Sequence, residues 1–257
     1  MTSDLGYEIF TVQEAPHLFN RKPNKNFTIQ VWPSFMSYCP EPQERQKASS
    51  KKQIYSDFSI IVVESGTGRL IARGIGIPLA WEGDFDQLPD RGLDWAIDQG
   101  TEDHLQGRQP TLLCARSIAV IPEYRNKHLS SLLIQEMKKI AQAHQFSSLI
   151  IPVRPSLKHL YPLTPIERYI TWQNENKLPF DPWLRIHAKQ GAKLIKVCSQ
   201  SFSIIDTVSN WEARANMRFP ESGDYIIPGA LVPIKIDYAN DQGSYIEPNV
   251  WMSYNLN

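Results

Sequence analysis

The stretch Leu112–His144, LLCARSIAVIPEYRNKHLSSLLIQEMKKIAQAH, decides how this chain is read. Its opening residues are rich in Leu, Ile, Val and Ala and read as a buried strand. Pro122, which has no N–H for a ladder hydrogen bond, ends that strand. From Leu129 or Ser130 onward, Leu132, Leu133, Met137, Ile140 and Ala141 recur at helical spacing, which predicts an amphipathic helix. His144 closes it, where a cation suits the helix C-terminus. Between strand and helix, Glu123-Tyr124-Arg125-Asn126-Lys127-His128 sets two fixed cations before a helix N-terminus. Unpaired N–H groups and the helix dipole make such a turn an anion site, suited to phosphate or pyrophosphate. The same unit also occurs in α/β proteins that bind no phosphate, so the rest of the chain has to weigh in.

Phe58–Glu64 reads as a strand, Ser65-Gly66-Thr67-Gly68 as a turn, and Arg69–Leu79 as the second strand of a hairpin. After the central stretch, Ser148–Val153 is a short apolar strand. Pro182–Gln190 reads as a helix, with Asp181 as its cap, Pro182 in its first turn and Gly191 at its end. Strands follow over Lys193–Ile205, Leu231–Asp237 and Ser244–Tyr254, the last two flanking an Asn-Asp-Gln-Gly turn.

The central stretch resembles the signature of the GNAT superfamily, the acyl-CoA-dependent N-acyltransferases. Their turn, Arg/Gln-x-x-Gly-x-Gly/Ala, wraps the pyrophosphate of coenzyme A. In V-I-P-E-Y-R-N-K-H-L-S, Arg125 opens the turn, and Asn126 and His128 stand where a Gly-rich version has glycines. Asn visits the left-handed backbone region readily; His128 is the larger departure, set either to crowd a phosphate or to donate to it. Hairpin, strand-helix-strand, helix and final strands is also the element order of that fold. The resemblance extends from about Val31 over IPVRPSLKHLYPLTPIERY, LPFDPWLRIHAKQGA, FPESGDYIIPGALVP and YIEPNVWM, which are similar to stand-alone bacterial GNAT-like proteins with long acceptor-side insertions.

The resemblance implies an α/β (α+β) GNAT fold with a mixed, mostly antiparallel sheet, and acetyl-CoA or another acyl-CoA as co-substrate with no metal. Cofactor-binding positions are then Ile118, Ala119 and Val120 of the strand and Arg125, Asn126, Lys127, His128, Leu129 and Ser130 of the turn. Family members commonly carry a Tyr four residues before a helix-ending Gly, as proton donor to the leaving thiolate. Here that position is His187, whose imidazole is suited to acid–base work near neutral pH. Many members place a carboxylate base on the signature strand, yet Cys114-Ala115-Arg116-Ser117 has none. Glu64 and Asp94 are the alternatives, through water or directly.

Three activities stay open. The first is transfer of an acetyl or short acyl group to the amine of a small-molecule acceptor. The second resembles the GNAT-like domains of polyketide loading modules: malonyl-CoA decarboxylation, or S-acyl transfer to a carrier-protein thiol, which needs less help from a base. Arg116 or Arg154 would then hold a substrate carboxylate, and Ser156 would stand in for a catalytic Thr. The third is a non-catalytic acyl-CoA-binding module. Trp32, Trp95, Trp172 and Trp183 are candidates for the aromatic wall of an acceptor pocket.

Composition narrows the partners. The 257 residues balance 27 basic against 27 acidic side chains, so no bulk field recruits nucleic acid or an anionic membrane. No apolar run matches a membrane span, MTSDLGYEIF does not read as a signal peptide, and a cytoplasmic location is the expectation. Cys39, Cys114 and Cys198 form no CxxC pair, and the six histidines show no metal-ligand spacing. The length suits one domain over 1–257, with insertions at about 81–110 and 155–181 expected as loops over one end, while Cys39–Gln53 reads as a mobile segment.

Overall fold

A computed structural model describes residues 6–19, 27–36 and 55–256; Cys39–Gln53 lies outside them. Strand β1 (Tyr7–Thr11) leads through two short helices, α1 (Pro16–Phe19) and α2 (Phe27–Val31), to the expected hairpin of β2 (Ser59–Glu64) and β3 (Leu70–Leu79). Gly66 and Gly68 take positive φ in its turn, a backbone region that costs glycine nothing. Helix α3 (Gly92–Leu105) precedes β4 (Leu112–Val120), and α4 (Leu129–Ala143) leads to β5 (Ser148–Val153). The chain continues through α5 (Ile166–Tyr169), α6 (Pro182–Lys189), β6 (Lys193–Asp206) and α7 (Val208–Ala215) to β7 (Gly223–Tyr225), β8 (Ile234–Asp237) and β9 (Gln242–Asn255).

The described strands form one sheet in the order β1-β2-β3-β4-β5-β9-β8-β7, with β6 also pairing β9. Only β4 and β5 run parallel; the other neighbours are antiparallel. Helix α4 explains that parallel pair, because a parallel step needs a crossover and α4 supplies it. It turns Leu129, Leu133, Ile134, Met137 and Ala141 onto the sheet, the four larger side chains each contributing roughly 1.5–3 kcal/mol by burial. The approach is close at Gly74, where a Cβ would stand 3.3 Å from the Met137 sulfur. Two further cores form, one around Trp211 and Tyr245 and one around Trp251 beneath α3.

One irregularity shapes the molecule. Ile75 pairs with Ser117 and Gly76 with Ala115, so Arg116 is an extra residue, a β-bulge in β4. Gly76 is required opposite it: a Cβ there would lie 2.7 Å from the Phe58 carbonyl oxygen and 2.9 Å from Leu113 Cδ1. A bulge bends and over-twists its strand. Pairing of β4 with β5 is accordingly confined to Leu113↔Leu149 and Cys114↔Ile150, after which the two strands part.

The region 81–110 is not a loop: its 14-residue helix α3 buries Gly92, Asp94, Ala96, Gly100 and Asp103. A face of small and acidic residues gives no apolar period, and two glycines lower helix propensity. By contrast, 155–181 is mostly irregular, with a 3-10 turn at Lys158–Leu160 and one α-helical turn, α5. Strand β8 begins at Ile234 rather than Leu231. Among the described residues no helix is long and apolar enough to cross a membrane.

Candidate active site

Two clefts open from the split between β4 and β5. The first, about 750 Å³, is lined by Ile118, Ala119 and Val120, by Arg125, Asn126, His128, Leu129, Ser130 and Ser131, and across from them by Ser156, Ile186, Lys189 and Gln190. The second, about 710 Å³, is lined by Arg73, Asp94, Arg116, Ser203, Glu247 and Asn249 among apolar side chains. Trp32, Ile118, Arg154 and Trp183 belong to both, so the clefts meet at the split itself.

The first cleft is headed by the basic turn. Pro122–Tyr124 forms one 3-10 turn, after which Asn126 (φ 64°) and His128 (φ 59°) both adopt left-handed backbone. Those are the two positions of the absent glycines. The N–H groups of residues 129–131 open α4 and have no intrahelical acceptor, so they are available to an anion in the cleft. His128 is exposed and lines the cleft without blocking it. Lys127 does not line it: its Nζ stands 4.3 Å from the centre of the Tyr124 ring. Tyr124 in turn donates to Glu64 at 2.6 Å. Hydrogen bonds from Thr67 and Tyr124 hold the Glu64 carboxyl below the usual range. Glu64 therefore serves the outer hairpin, lines neither cleft and is no candidate base.

Helix α6 forms the opposite wall. Asp181, almost fully buried, caps it by accepting from the Trp183 and Leu184 N–H groups at 2.9 and 3.2 Å. The same carboxylate accepts from Leu157 N–H (2.8 Å), the Tyr169 hydroxyl (2.8 Å) and the Ser156 hydroxyl (3.3 Å), which fastens the 155–181 segment to the helix start. Sequence placed His187 on this helix as a proton donor in the site. The structure puts it behind the wall: it is fully buried, lines neither cleft, and packs under Trp183 with ring centres 4.2 Å apart. Its Nδ1 shares a 2.6 Å hydrogen bond with the Tyr254 hydroxyl, while Nε2 has no partner. Burial, helped by the Lys138 charge, pulls the imidazole down to about 3. It is neutral near pH 7, and an imidazolium proton donor is not what this position holds.

Trp95 and Trp172 also leave the list of pocket walls. Trp95 packs between Trp81 and Trp251, and Trp172 packs with Tyr161, Tyr169 and Phe180. Trp32, Arg116 and Ser156 do reach the clefts, Arg116 in the second and Ser156 in the first. Sequence reasoning missed Lys189, Gln190, Arg73 and Glu247. Lys189 and Gln190 carried one signal, their place beside Gly191 in the last turn of α6; Arg73 and Glu247 carried none.

In the second cleft the charges are ordered. Arg154 Nε meets both Glu247 oxygens at 3.0 and 2.9 Å, its second arm donates to the Gly229 carbonyl at 2.7 Å, and the Tyr245 hydroxyl donates to Glu247 at 2.5 Å. Asp94 of α3 accepts from the Ser203 N–H at 3.0 Å. Among the described residues no group of three or more His, Cys, Asp or Glu is placed to hold a metal ion.

Comparison with known proteins agrees with this architecture. No family model matches the chain. An arginine N-acetyltransferase of Aspergillus versicolor, avaD, is 25% identical over 96% of this chain and 93% of its own length. Among solved structures, the loading GNATL domain of CurA from Lyngbya majuscula has a TM-score of 0.61 at 15% identity, covering 97% of this chain and 98% of that one. The GphF GNAT-like decarboxylase, solved with isobutyryl-CoA, has a TM-score of 0.53 at 13% identity, covering 98% and 99%. The fold, with its bulged and splayed central strands, is the GNAT fold.

Proposed function

We propose that this chain is an acyl-CoA-dependent N-acyltransferase, moving an acetyl or short acyl group from coenzyme A to the amine of a small-molecule acceptor. The observation that carries the proposal is the meeting of two clefts at the β4–β5 split, one of them headed by left-handed Asn126 and His128 at the start of α4. Coenzyme A supplies the acyl group as an activated thioester. The first-turn N–H groups, Arg125, His128 and Ser130 would hold its pyrophosphate, with Lys189 facing them. The edge of β4 that no longer pairs with β5, at Ile118–Val120, would orient the thioester. Trp32 and Trp183 wall the junction. In the acceptor cleft Glu247 is engaged by Arg154 and Tyr245, and we assign Asp94 to receive the amine proton. His187 is a positioning residue behind Trp183. The fungal relative supports amine acylation and makes L-arginine the first acceptor to test.

Calorimetric titration of acetyl-CoA tests the cleft. We expect binding that weakens about tenfold to a hundredfold in Arg125→Ala/Lys189→Ala, followed by acetyl transfer to an amine. Absence of binding in the wild-type chain would overturn the proposal.

A second activity, malonyl-CoA decarboxylation or S-acyl transfer to a carrier-protein thiol, has one observation in its favour. Glu247 is already paired and His187 is neutral, and a thiol needs less of a base than an ammonium does. Release of carbon dioxide from malonyl-CoA without an amine present would select it.

A further inference from the structure

Arg73, on β3, lines the second cleft. Its guanidinium carbon stands 5.1 Å from the centre of the Phe27 ring and 5.8 Å from that of Phe19. The buried Nε has no hydrogen-bond partner, and among the described residues no carboxylate forms an ion pair with it. The bulge residue Arg116 shares the same wall. Burial, reinforced by the Arg116 charge, brings Arg73 down to about 10, still cationic near neutrality. A largely desolvated guanidinium that has no anion beside it is unfavourable. Glu247, a carboxylate lining that cleft, is engaged by Arg154 and Tyr245. The two phenylalanine rings pack against the Arg73 guanidinium, whose planar fork is the geometry that suits a carboxylate.

We infer that Arg73 seats a carboxylate of the substrate in the second cleft, carried either by the acyl group or by the acceptor. The location of the reacting groups rests on the acyl-CoA proposal above; the anion site itself does not. An acyl group with a terminal carboxylate would reach it from the thioester at the split, and an amino acid would reach it by its own carboxylate with the amine toward the split.

The test is calorimetry on the full chain with two matched pairs: malonyl-CoA against acetyl-CoA, and, with coenzyme A present, L-arginine against L-argininamide. The expected result is that, in at least one pair, the carboxylate-bearing member binds wild type about tenfold more tightly or better. In Arg73→Met that ratio falls to within about twofold, while acetyl-CoA affinity is unchanged. The pair that shows the ratio identifies which partner carries the carboxylate. A wild-type ratio near one in both pairs, or a ratio that survives Arg73→Met, overturns the inference. If Arg73→Met does not fold, Arg73→Lys keeps the charge without the fork and loses most of the ratio. If acetyl-CoA fails to bind wild type, the acyl-CoA proposal falls, and the arginine pair titrated alone still decides the carboxylate site.

Discussion

His187 shows how a single side chain changes meaning with its surroundings. Four residues before Gly191 on an amphipathic helix, it has the register of a proton donor. Fully buried, with Nδ1 on the Tyr254 hydroxyl and Lys138 nearby, it is held neutral, with a value of about 3. An unfolded histidine titrates near 6.5, so between pH 6.5 and 3 the unfolded chain binds a proton that the native state refuses. Stability is therefore present above about 6.5 and is lost as pH falls toward 3, by roughly 3 kcal/mol between pH 6.5 and 4. His187→Gln should flatten the acid side of the melting-temperature profile. It should also leave the shape of the kcat profile between pH 5.5 and 8 unchanged. A limb near 6.5 that disappears with the imidazole would restore His187 as an acid–base group.

At the scale of elements, the decisive device is the turn between β4 and α4. Asn126 and His128 occupy left-handed backbone, and only Asn is suited to it by its own chemistry. His128→Gly relieves that strain and should stabilise the protein by about 0.5–1 kcal/mol, while weakening acetyl-CoA binding by the loss of one side-chain contact. His128→Val, β-branched at positive φ, should cost about 1–2 kcal/mol and abolish binding, as denaturant melts and calorimetry would show. Strand, turn and helix were legible here because each has a local signature: the apolar run to Pro122, the basic hexapeptide, the helical period from Leu129. Helix α3 was not legible, because its buried face is made of Gly, Asp and Ala, and only contact with the sheet gives those residues a reason to be helical.

Across the whole molecule, the half of the sheet beyond the split, β5-β9-β8-β7, is tied together by ionic contacts. Arg154 at the end of β5 meets Glu247 of β9 and the Gly229 carbonyl of the preceding loop. Tyr245 meets the same Glu247 and accepts from Leu231 N–H. With Glu247 only 1% exposed, Arg154→Met leaves a buried carboxylate and should destabilise by about 3–5 kcal/mol. The double variant Arg154→Met/Glu247→Leu should recover much of that loss, because removing both charges removes the desolvation penalty. Thermal unfolding of the three proteins checks it; a double variant as unstable as the single would mean the network is held by packing alone.

What the sequence determined by itself is the set of local features: the strands and helices with strong period, the basic turn and the family resemblance they carry. Periodicity, proline and charge act over a few residues, and those residues are adjacent in the chain. Only the tertiary structure decided which side chains share a cleft. Arg73, Arg116, Arg154 and Glu247 lie far apart in sequence and meet because the bulge at Arg116 opens the sheet between β4 and β5. The same packing drew His187 behind Trp183 and took its charge away, since burial, not residue type, sets whether an imidazole is an acid at neutral pH.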